Sequence, residues 1–104
     1  MIARISRGVT REGDVEAYHA YLAGTGLAEY RSTPGNRGVH VLVKREGDRA
    51  EWLLLTLWDS WEAVKRFAGE DIDAAVFYPE DDRFLLERGE RVEHFEVVAS
   101  SGLV

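Results

Sequence analysis

The apolar and polar positions along the chain predict four strands and two helices. Residues 2–9 form the first predicted strand, in which Ala3, Ile5 and Val9 lie on or near one face. The sequence 10–14 then breaks the strand, and Thr10 or Asp14 is suited to cap a helix running to about residue 28. Arg4, Ser6 and Gly8 lie on the other face of this strand, and the alternation is only partial.

The first predicted helix carries a readable apolar stripe. At 100° per residue one side of it collects five positions, and that side should lie on the sheet. These positions are Val15, Tyr18, His19, Leu22 and Gly26. His19 is therefore expected to point inward or to sit on the flank of the helix.

The segment Trp52-Leu53-Leu54-Leu55-Thr56-Leu57-Trp58 is the most apolar part of the chain. It shows no alternation, so both faces of this strand should be covered. Helices of so short a chain can cover one face of a sheet. A second copy of the same protein is the natural cover for the other face, which predicts a homodimer joined through the sheet faces.

The remaining elements complete the order strand, helix, strand, strand, helix, strand. A turn at residues 32–36 precedes a hairpin strand at 38–45. Asp59 is the predicted N-cap of the second helix, with Trp61, Val64 and Ala68 on one face and Gly69 as the stop. Residues 91–98 form the closing strand. This order predicts a single α+β domain over residues 1–104 with the ferredoxin-like split βαβ plan (βαββαβ).

Composition and charge narrow the class of protein. The formal net charge is −6 and no basic stripe follows any predicted element, which argues against nucleic acid as a partner. Cysteine is absent, so disulfides, thiolate metal sites and thiol nucleophiles are excluded. The first ten residues are interrupted too early by Arg4 and Arg7 for a signal peptide or a membrane span, and the cytoplasm is the expected compartment.

The motifs of several enzyme classes are missing. No GxSxG, GxGxxG or GxxxxGK[ST] sequence is present, so nucleophile-elbow hydrolysis, dinucleotide binding and P-loop chemistry lack their residues. His19, His40 and His94 show no metal-ligand spacing, and no metal is expected. The acidic runs at 70–73 and 80–82 indicate solvated surface. His40 belongs to a wet face, and His94 is interpreted as a hydrogen-bonded structural histidine.

His19 and the aromatic residues are the candidates for chemistry. His19 is either a satisfied core histidine or a base in a pocket between helix and sheet. Eleven residues are Phe, Trp or Tyr, and seven of these lie between positions 52 and 84. Most of them should form the core, yet this density also suits a cavity for a flat aromatic ligand.

Four segments, TPGNRG, LWDSWEAVKRFAG, VFYPEDDRFLLE and VEHFEV, resemble the antibiotic biosynthesis monooxygenase superfamily of dimeric α/β-barrel proteins. The resemblance covers nearly the whole chain. It implies a cofactor-independent monooxygenase in which a small quinol or anthrone is bound between helices and sheet, deprotonated, and attacked directly by oxygen, without metal or flavin. Because this fold hosts many activities, a non-catalytic dimer that binds a small molecule or serves as an accessory protein is the alternative.

The resemblance also implies roles for individual residues. His19 is the candidate catalytic base or anion partner, Trp58 the wall on which the ring stacks, and Tyr78 a hydrogen-bond donor. Tyr18, Phe67 and Phe77 are the other expected substrate-binding residues. The haem-degrading branch of the superfamily uses Asn, Trp and His where this chain has Ser6 or Arg7, Phe67 and Phe77, so haem is not an expected cofactor.

Overall fold

The fold consists of one antiparallel sheet with helices packed on one of its faces. The structure is a computed structural model that describes residues 1–89 and 91–101. Its strands are β1 (Ile2–Arg11), β2 (Asn36–Glu46), β3 (Arg49–Trp58), β4 (Glu87–Arg88) and β5 (Glu93–Glu96). Its helices are α1 (Val15–Gly24), α2 (Gly26–Ser32), α3 (Trp61–Ala68) and α4 (Asp81–Phe84), with a short 3₁₀ helix over Glu12–Asp14 before α1.

The strand order β2-β3-β1 continues into two short strands that share the outer edge of β1. Gly8 and Val9 pair with β4, and the beginning of β1 pairs with β5 from Ile2 to Ile5. The expected α+β ferredoxin-like plan is therefore confirmed, with its closing strand divided in two. The predicted strand over 91–98 is shorter in the structure, where Arg91 makes only an isolated bridge to Ala74.

The first predicted helix consists of two helices that meet at Thr25. This residue has φ −121° and ψ −95°, outside the helical region, and its hydroxyl donates to the Tyr21 carbonyl at 2.8 Å. Glycines on both sides of Thr25 favour such a break because they lower helix propensity. The expected inward stripe is otherwise present, since Val15, Tyr18, Leu22 and Gly26 are all buried.

The start of α3 differs from the prediction by one residue. Ser60 is the N-cap, and its hydroxyl accepts from the Ala63 amide at 3.2 Å, while Asp59 pairs instead with Arg37 at 2.6 Å. A serine with extended backbone is as good a cap as aspartate. Trp61 was expected on the buried face but is 39% exposed; that face consists of Ala63, Val64 and Phe67. Gly69 ends the helix, as predicted, with φ 84°.

The two faces of β3 have different surroundings. Trp52, Thr56 and Trp58 are buried beneath the helices. The leucines at 53, 55 and 57 alternate with them, so they lie on the opposite face of the sheet and are only partly buried. In the described residues no helix is long and apolar enough to cross a membrane. The apolar face opposite the helices is called the open face below.

Candidate functional site

A small cavity lies between the helices and the sheet. The sheet contributes Arg4, Ser6, Arg7, Gly8, Trp52 and Leu54, and α1 and α2 contribute Tyr18, Leu22, Gly26 and Tyr30. The segment over residues 76–81, which leads into α4 and includes its first residue, contributes Val76, Phe77, Tyr78 and Asp81, and Leu85 follows α4. The cavity has a volume of about 40 Å³. This space holds a few water molecules and is too small for an aromatic ring. The connection over residues 76–81 is called the strap below.

Arg4 brings a buried cation to the sheet wall of this cavity. Only 2% of the residue is exposed. Its NH1 group donates to the Ile72 carbonyl and lies 3.0 Å from His94 Nε2, and its NH2 group donates to the Ala74 carbonyl at 3.0 Å. Two backbone carbonyls and one imidazole, all uncharged, thus hold the guanidinium in place.

His94 connects Arg4 to a carboxylate. Because a guanidinium can only donate, Nε2 of His94 accepts from Arg4 and the ring proton resides on Nδ1. Nδ1 lies 3.2 Å from the Asp73 carboxylate and donates to it. Burial, reinforced by the positive charge of Arg4, lowers the pKa of His94, while Asp73 opposes this shift. His94 is therefore neutral at pH 7, which agrees with its interpretation as a hydrogen-bonded structural histidine.

The strap is attached to the helices by the side chains of two tyrosines. The Tyr78 hydroxyl donates to the Glu29 carboxylate, and the Tyr21 hydroxyl accepts from the Glu80 amide at 3.0 Å. Burial, and secondly the hydrogen bond to Glu29, raise the pKa of Tyr78, so this phenol stays protonated. Burial also raises the pKa of Tyr30, to about 12, against the opposing effect of Arg4.

Asp81 places a carboxylate in the cavity. It is 5% exposed, and it accepts from the Tyr78 amide at 2.6 Å. Burial raises the pKa of this carboxyl, whereas the hydrogen bond from Tyr78 and the charge of Arg88 act in the opposite direction. A carboxylate with a raised pKa is a better proton acceptor than an ordinary surface aspartate.

Three of the residues expected to bind substrate line the cavity, namely Tyr18, Phe77 and Tyr78. The expected wall at Trp58 and Phe67 is corrected by the structure. Trp58 is fully buried, with its indole N–H donating to Thr56 at 2.8 Å, and Phe67 packs against it at a ring separation of 5.6 Å. Both rings are core residues behind Tyr30, and Trp52 takes the place at the cavity wall.

His19 does not reach the cavity. It is exposed and lines a separate groove on the outer side of α1, together with Val41, Val43 and Arg45. Each helical residue is turned about 100° from its neighbour, so the burial of Tyr18 directs His19 to the flank. The sequence allowed His19 to point inward or to lie on the flank of the helix. The structure shows the flanking orientation, and the inward one is wrong.

Two buried charged residues of the cavity, Arg4 and Asp81, were not predicted from the sequence. Arg4 and Ser6 alternate with the apolar positions of β1, a pattern that ordinarily marks a solvated face. Here the polar set faces the helices and the apolar set faces outward. Asp81 belongs to an acidic run that was interpreted as solvated surface, and no periodicity separates it from exposed Asp82.

The cavity does not fit haem. Haem iron takes His, Cys, Met or Tyr as its axial ligand, and no His, Cys or Met is among the residues that line the cavity. Burial raises the pKa of its three tyrosines, Tyr18, Tyr30 and Tyr78, which disfavours the phenolate that would bind iron. Both ring nitrogens of His94 are engaged, and His19 lies in the outer groove. Among the described residues, no group of three or more His, Asp or Glu side chains is arranged to hold a metal ion.

Comparison with known proteins shows the fold. No protein-family model matches the chain, and no curated protein matches its sequence. Among solved structures, a proposed antibiotic biosynthesis monooxygenase from Bacillus cereus is similar at 16% identity, with TM-score 0.68 over 98% of this chain and 97% of the other. The haem degrader MhuD from Mycobacterium tuberculosis, solved with two haems in its active site, is similar at 20% identity, with TM-score 0.65 over 98% and 100%.

A third structure, a proposed antibiotic biosynthesis monooxygenase from Nitrosomonas europaea, is similar at 12% identity, with TM-score 0.67 over 95% of this chain and all of the other. Identities this low establish common architecture only, because one fold supports many activities. The resemblance seen in the sequence is confirmed at the level of fold: the chain has the ferredoxin-like α+β fold that these solved structures share.

Proposed function

We propose that this protein is a cofactor-independent monooxygenase acting on a small quinol-like or anthrone-like aromatic molecule in the cavity between helices and sheet. The observation that carries the proposal is the composition of that cavity. Its aromatic walls enclose a buried cation, Arg4, on the sheet side and a buried carboxylate, Asp81, on the strap. A base and a fixed positive charge are the two groups needed to make and hold an electron-rich aromatic anion.

The reaction balances without a further reductant. A base removes a proton from the substrate, and molecular oxygen adds to the electron-rich ring carbon to give an organic peroxide. Cleavage of the O–O bond with loss of the remaining C–H proton gives the carbonyl, so that a ring methylene and O₂ yield a ketone and water. The protein's contribution is to exclude bulk water, orient the ring and stabilise the anion.

Asp81 replaces His19 as the proposed base. A general base must come within hydrogen-bond distance of the proton that it removes. Asp81 lines the cavity, whereas His19 opens to the outer groove. The burial that raises the pKa of Asp81 makes the carboxylate a stronger proton acceptor.

Substrate entry requires the strap to move. The present cavity of about 40 Å³ does not admit an aromatic ring, and the strap before Asp81 is a part of its wall that belongs to no helix or strand. Displacing Phe77 and Tyr78 would enlarge the space while Arg4 stays fixed to its carbonyl partners. Such lids commonly close over bound substrates in enzymes.

The testing experiment is oxygen consumption by the purified, metal-free protein with a panel of quinols and anthrones. We expect wild-type uptake, a loss of 100-fold or more in Asp81→Asn, as for removal of a general base, and full uptake in the exposed control Asp48→Asn. His19→Phe compares the two candidate bases directly. Loss of uptake in His19→Phe, with Asp81→Asn active and both variants folded, would return the role of base to His19.

We also propose that the open face joins two copies of the chain. Leu53, Leu55 and Leu57 occupy its centre, while Leu42 and Phe95 toward its edges are 50% and 52% exposed. An apolar patch of this kind on a sheet face is typical of an interface. Pairing of two such faces would produce the covered strand that the sequence of β3 requires.

The alternative is a non-catalytic dimer that binds a small molecule or serves as an accessory protein. The small volume of the cavity favours the accessory form of this alternative, because a site that binds or converts an aromatic ligand has to admit it. An accessory dimer predicts no oxygen uptake with any member of the panel. A binding module additionally predicts quenching of Trp52 fluorescence by a ligand without turnover, since this indole lies on the cavity wall.

A further inference from the structure

We infer that Arg4 is the oxyanion-binding residue of the cavity, so that the ligand is held as an ionised phenol whose oxygen contacts the guanidinium. The inference deepens the proposed function, since it assumes that an aromatic ligand enters this cavity. It does not require turnover, and binding alone tests it.

The first argument is the number of N–H groups that Arg4 has to offer. A guanidinium carries five of them. Within the described residues its acceptors are the carbonyls of Ile72 and Ala74 and the imidazole of His94, which together use three. Two N–H groups therefore remain for a ligand. Two donors on a planar cation suit an oxyanion well.

The second argument is charge. All three acceptors are uncharged, and the carboxylate of Asp73 stands on the far side of the His94 ring. His94 is held neutral by its environment. The positive charge of Arg4 is thus uncompensated at contact distance within the described residues. A buried cation without a contacting anion is costly in an unliganded protein, and an anionic ligand would remove that cost.

The third argument is rigidity. Two backbone carbonyls and one imidazole, from separate parts of the chain, fix the guanidinium before any ligand arrives. The side chain also passes near the Phe67 ring, with its central carbon 5.8 Å from the ring centroid. A prearranged donor in a water-poor cavity stabilises a developing negative charge more than a mobile surface arginine can.

The experiment measures the affinity of 4-nitrophenol in its neutral and ionised forms. The absorbance of the bound probe reports its ionisation state, and titration across pH gives both dissociation constants. 4-Nitroanisole, which cannot ionise, reports the affinity for the neutral ring. For wild type we expect the anion to bind at least tenfold more tightly than the neutral phenol, so the pKa of the bound phenol should fall.

Variants assign this preference to Arg4. Arg4→Gln should bind both forms of the probe equally while retaining affinity for 4-nitroanisole, and Arg4→Lys should keep part of the preference. The matched control is Arg31→Gln on the exposed side of α2, which should behave as wild type. Circular dichroism checks the fold of each variant.

Three results would overturn the inference. The first is that wild type binds neutral and ionised 4-nitrophenol with equal affinity. The second is that folded Arg4→Gln still prefers the anion, and the third is that neither 4-nitrophenol nor 4-nitroanisole binds. The wild-type comparison stands even if Arg4→Gln fails to fold. Anion preference without oxygen uptake would refute the proposed oxygenase and leave the role of Arg4 intact, so the two failures are distinguishable.

Discussion

Arg4 and His94 are directly paired in the register of β1 and β5, and Arg4 NH1 lies 3.0 Å from His94 Nε2. The pairing selects one tautomer of the imidazole and directs its other nitrogen to Asp73. A cation, a neutral ring and a carboxylate are therefore joined in a row from the cavity wall to the surface. This row holds the guanidinium in place without neutralising it by direct contact with an acid.

The free energy of unfolding should depend on pH partly through His94. Its pKa is lowered in the folded protein, so below the ordinary value of about 6.5 the unfolded chain binds more protons than the folded chain. The contribution of neutral His94 to the free energy of unfolding is complete above the unfolded pKa of about 6.5. It is lost as the pH falls from there through the lower pKa of the folded state. We expect His94→Gln to abolish this part of the decrease, measured by urea unfolding from pH 8 to pH 5.

The control for this measurement is His19→Gln. His19 is exposed on α1, away from both the open face and the row formed by Arg4, His94 and Asp73, so its substitution should leave the decrease in place. Comparing the variants with wild type at each pH removes the separate contribution of Asp81. That contribution has the opposite sign, because the raised pKa of this carboxyl makes the folded state bind protons more readily. Identical pH profiles for wild type and His94→Gln would contradict the assignment.

The architecture was predictable from the sequence because it depends on long patterns. The apolar run of β3 indicated a strand, and the stripe from Val15 to Gly26 indicated a helix on the sheet. The exact residue that caps a helix is harder to predict, because neighbouring side chains can be equally suited and the apolar pattern does not distinguish them. Asp59 and Ser60 are both good caps, and only the ion pair with Arg37 removes Asp59 from that position.

The candidate site was less predictable, since it depends on which face of β1 is the inner one. The strand β1 turns Arg4 toward the core and turns Ala3, Ile5 and Val9 toward the open face. From the sequence alone, the same alternation would be interpreted the other way round. The position of Asp81 depends on the irregular strap, for which no periodicity exists. Aromatic composition suggested a cavity for a flat ligand, whereas the aromatic residues surround a space too small for a ring, and composition could not separate the cavity wall from the core at Trp58 and Phe67.

The attachment of the strap should control access to the cavity. Tyr78→Phe removes the hydrogen bond to Glu29, which at this partly exposed position is worth about 1 kcal/mol. We expect amide hydrogen exchange at Glu80 to accelerate about fivefold, as that free energy implies. Nuclear magnetic resonance measures this rate. The exposed Val98→Ala, beyond β5, is the control, and unchanged exchange in folded Tyr78→Phe would show that the phenol does not secure the strap.

Replacing Gly35 by alanine should destabilise the protein more than the same substitution at Gly47. Its φ is 94°, and a Cβ built on it would lie 2.5 Å from the Cβ of Ala63 in α3. Gly35→Ala combines backbone strain with a clash against a buried helix, at a cost of about 3 kcal/mol. Gly47 has φ 61° with open space around it, so Gly47→Ala should cost only about 1 kcal/mol. Urea unfolding measures both, and equal costs would contradict the role of Ala63.

The proposed dimer should depend on the centre of the open face. Leu55 lies between Ile5 on β1 and His40 on β2, so Leu55→Asp would bury a carboxylate between two sheets without a partner. Light scattering during size-exclusion chromatography should give twice the chain mass of 11.8 kDa for wild type and a single chain mass for the variant. Ala20→Asp, on the exposed side of α1, should remain dimeric. If Leu55→Asp fails to fold, the edge variant Leu42→Asp takes its place. A wild-type protein that elutes as a monomer at micromolar concentration would refute the interface.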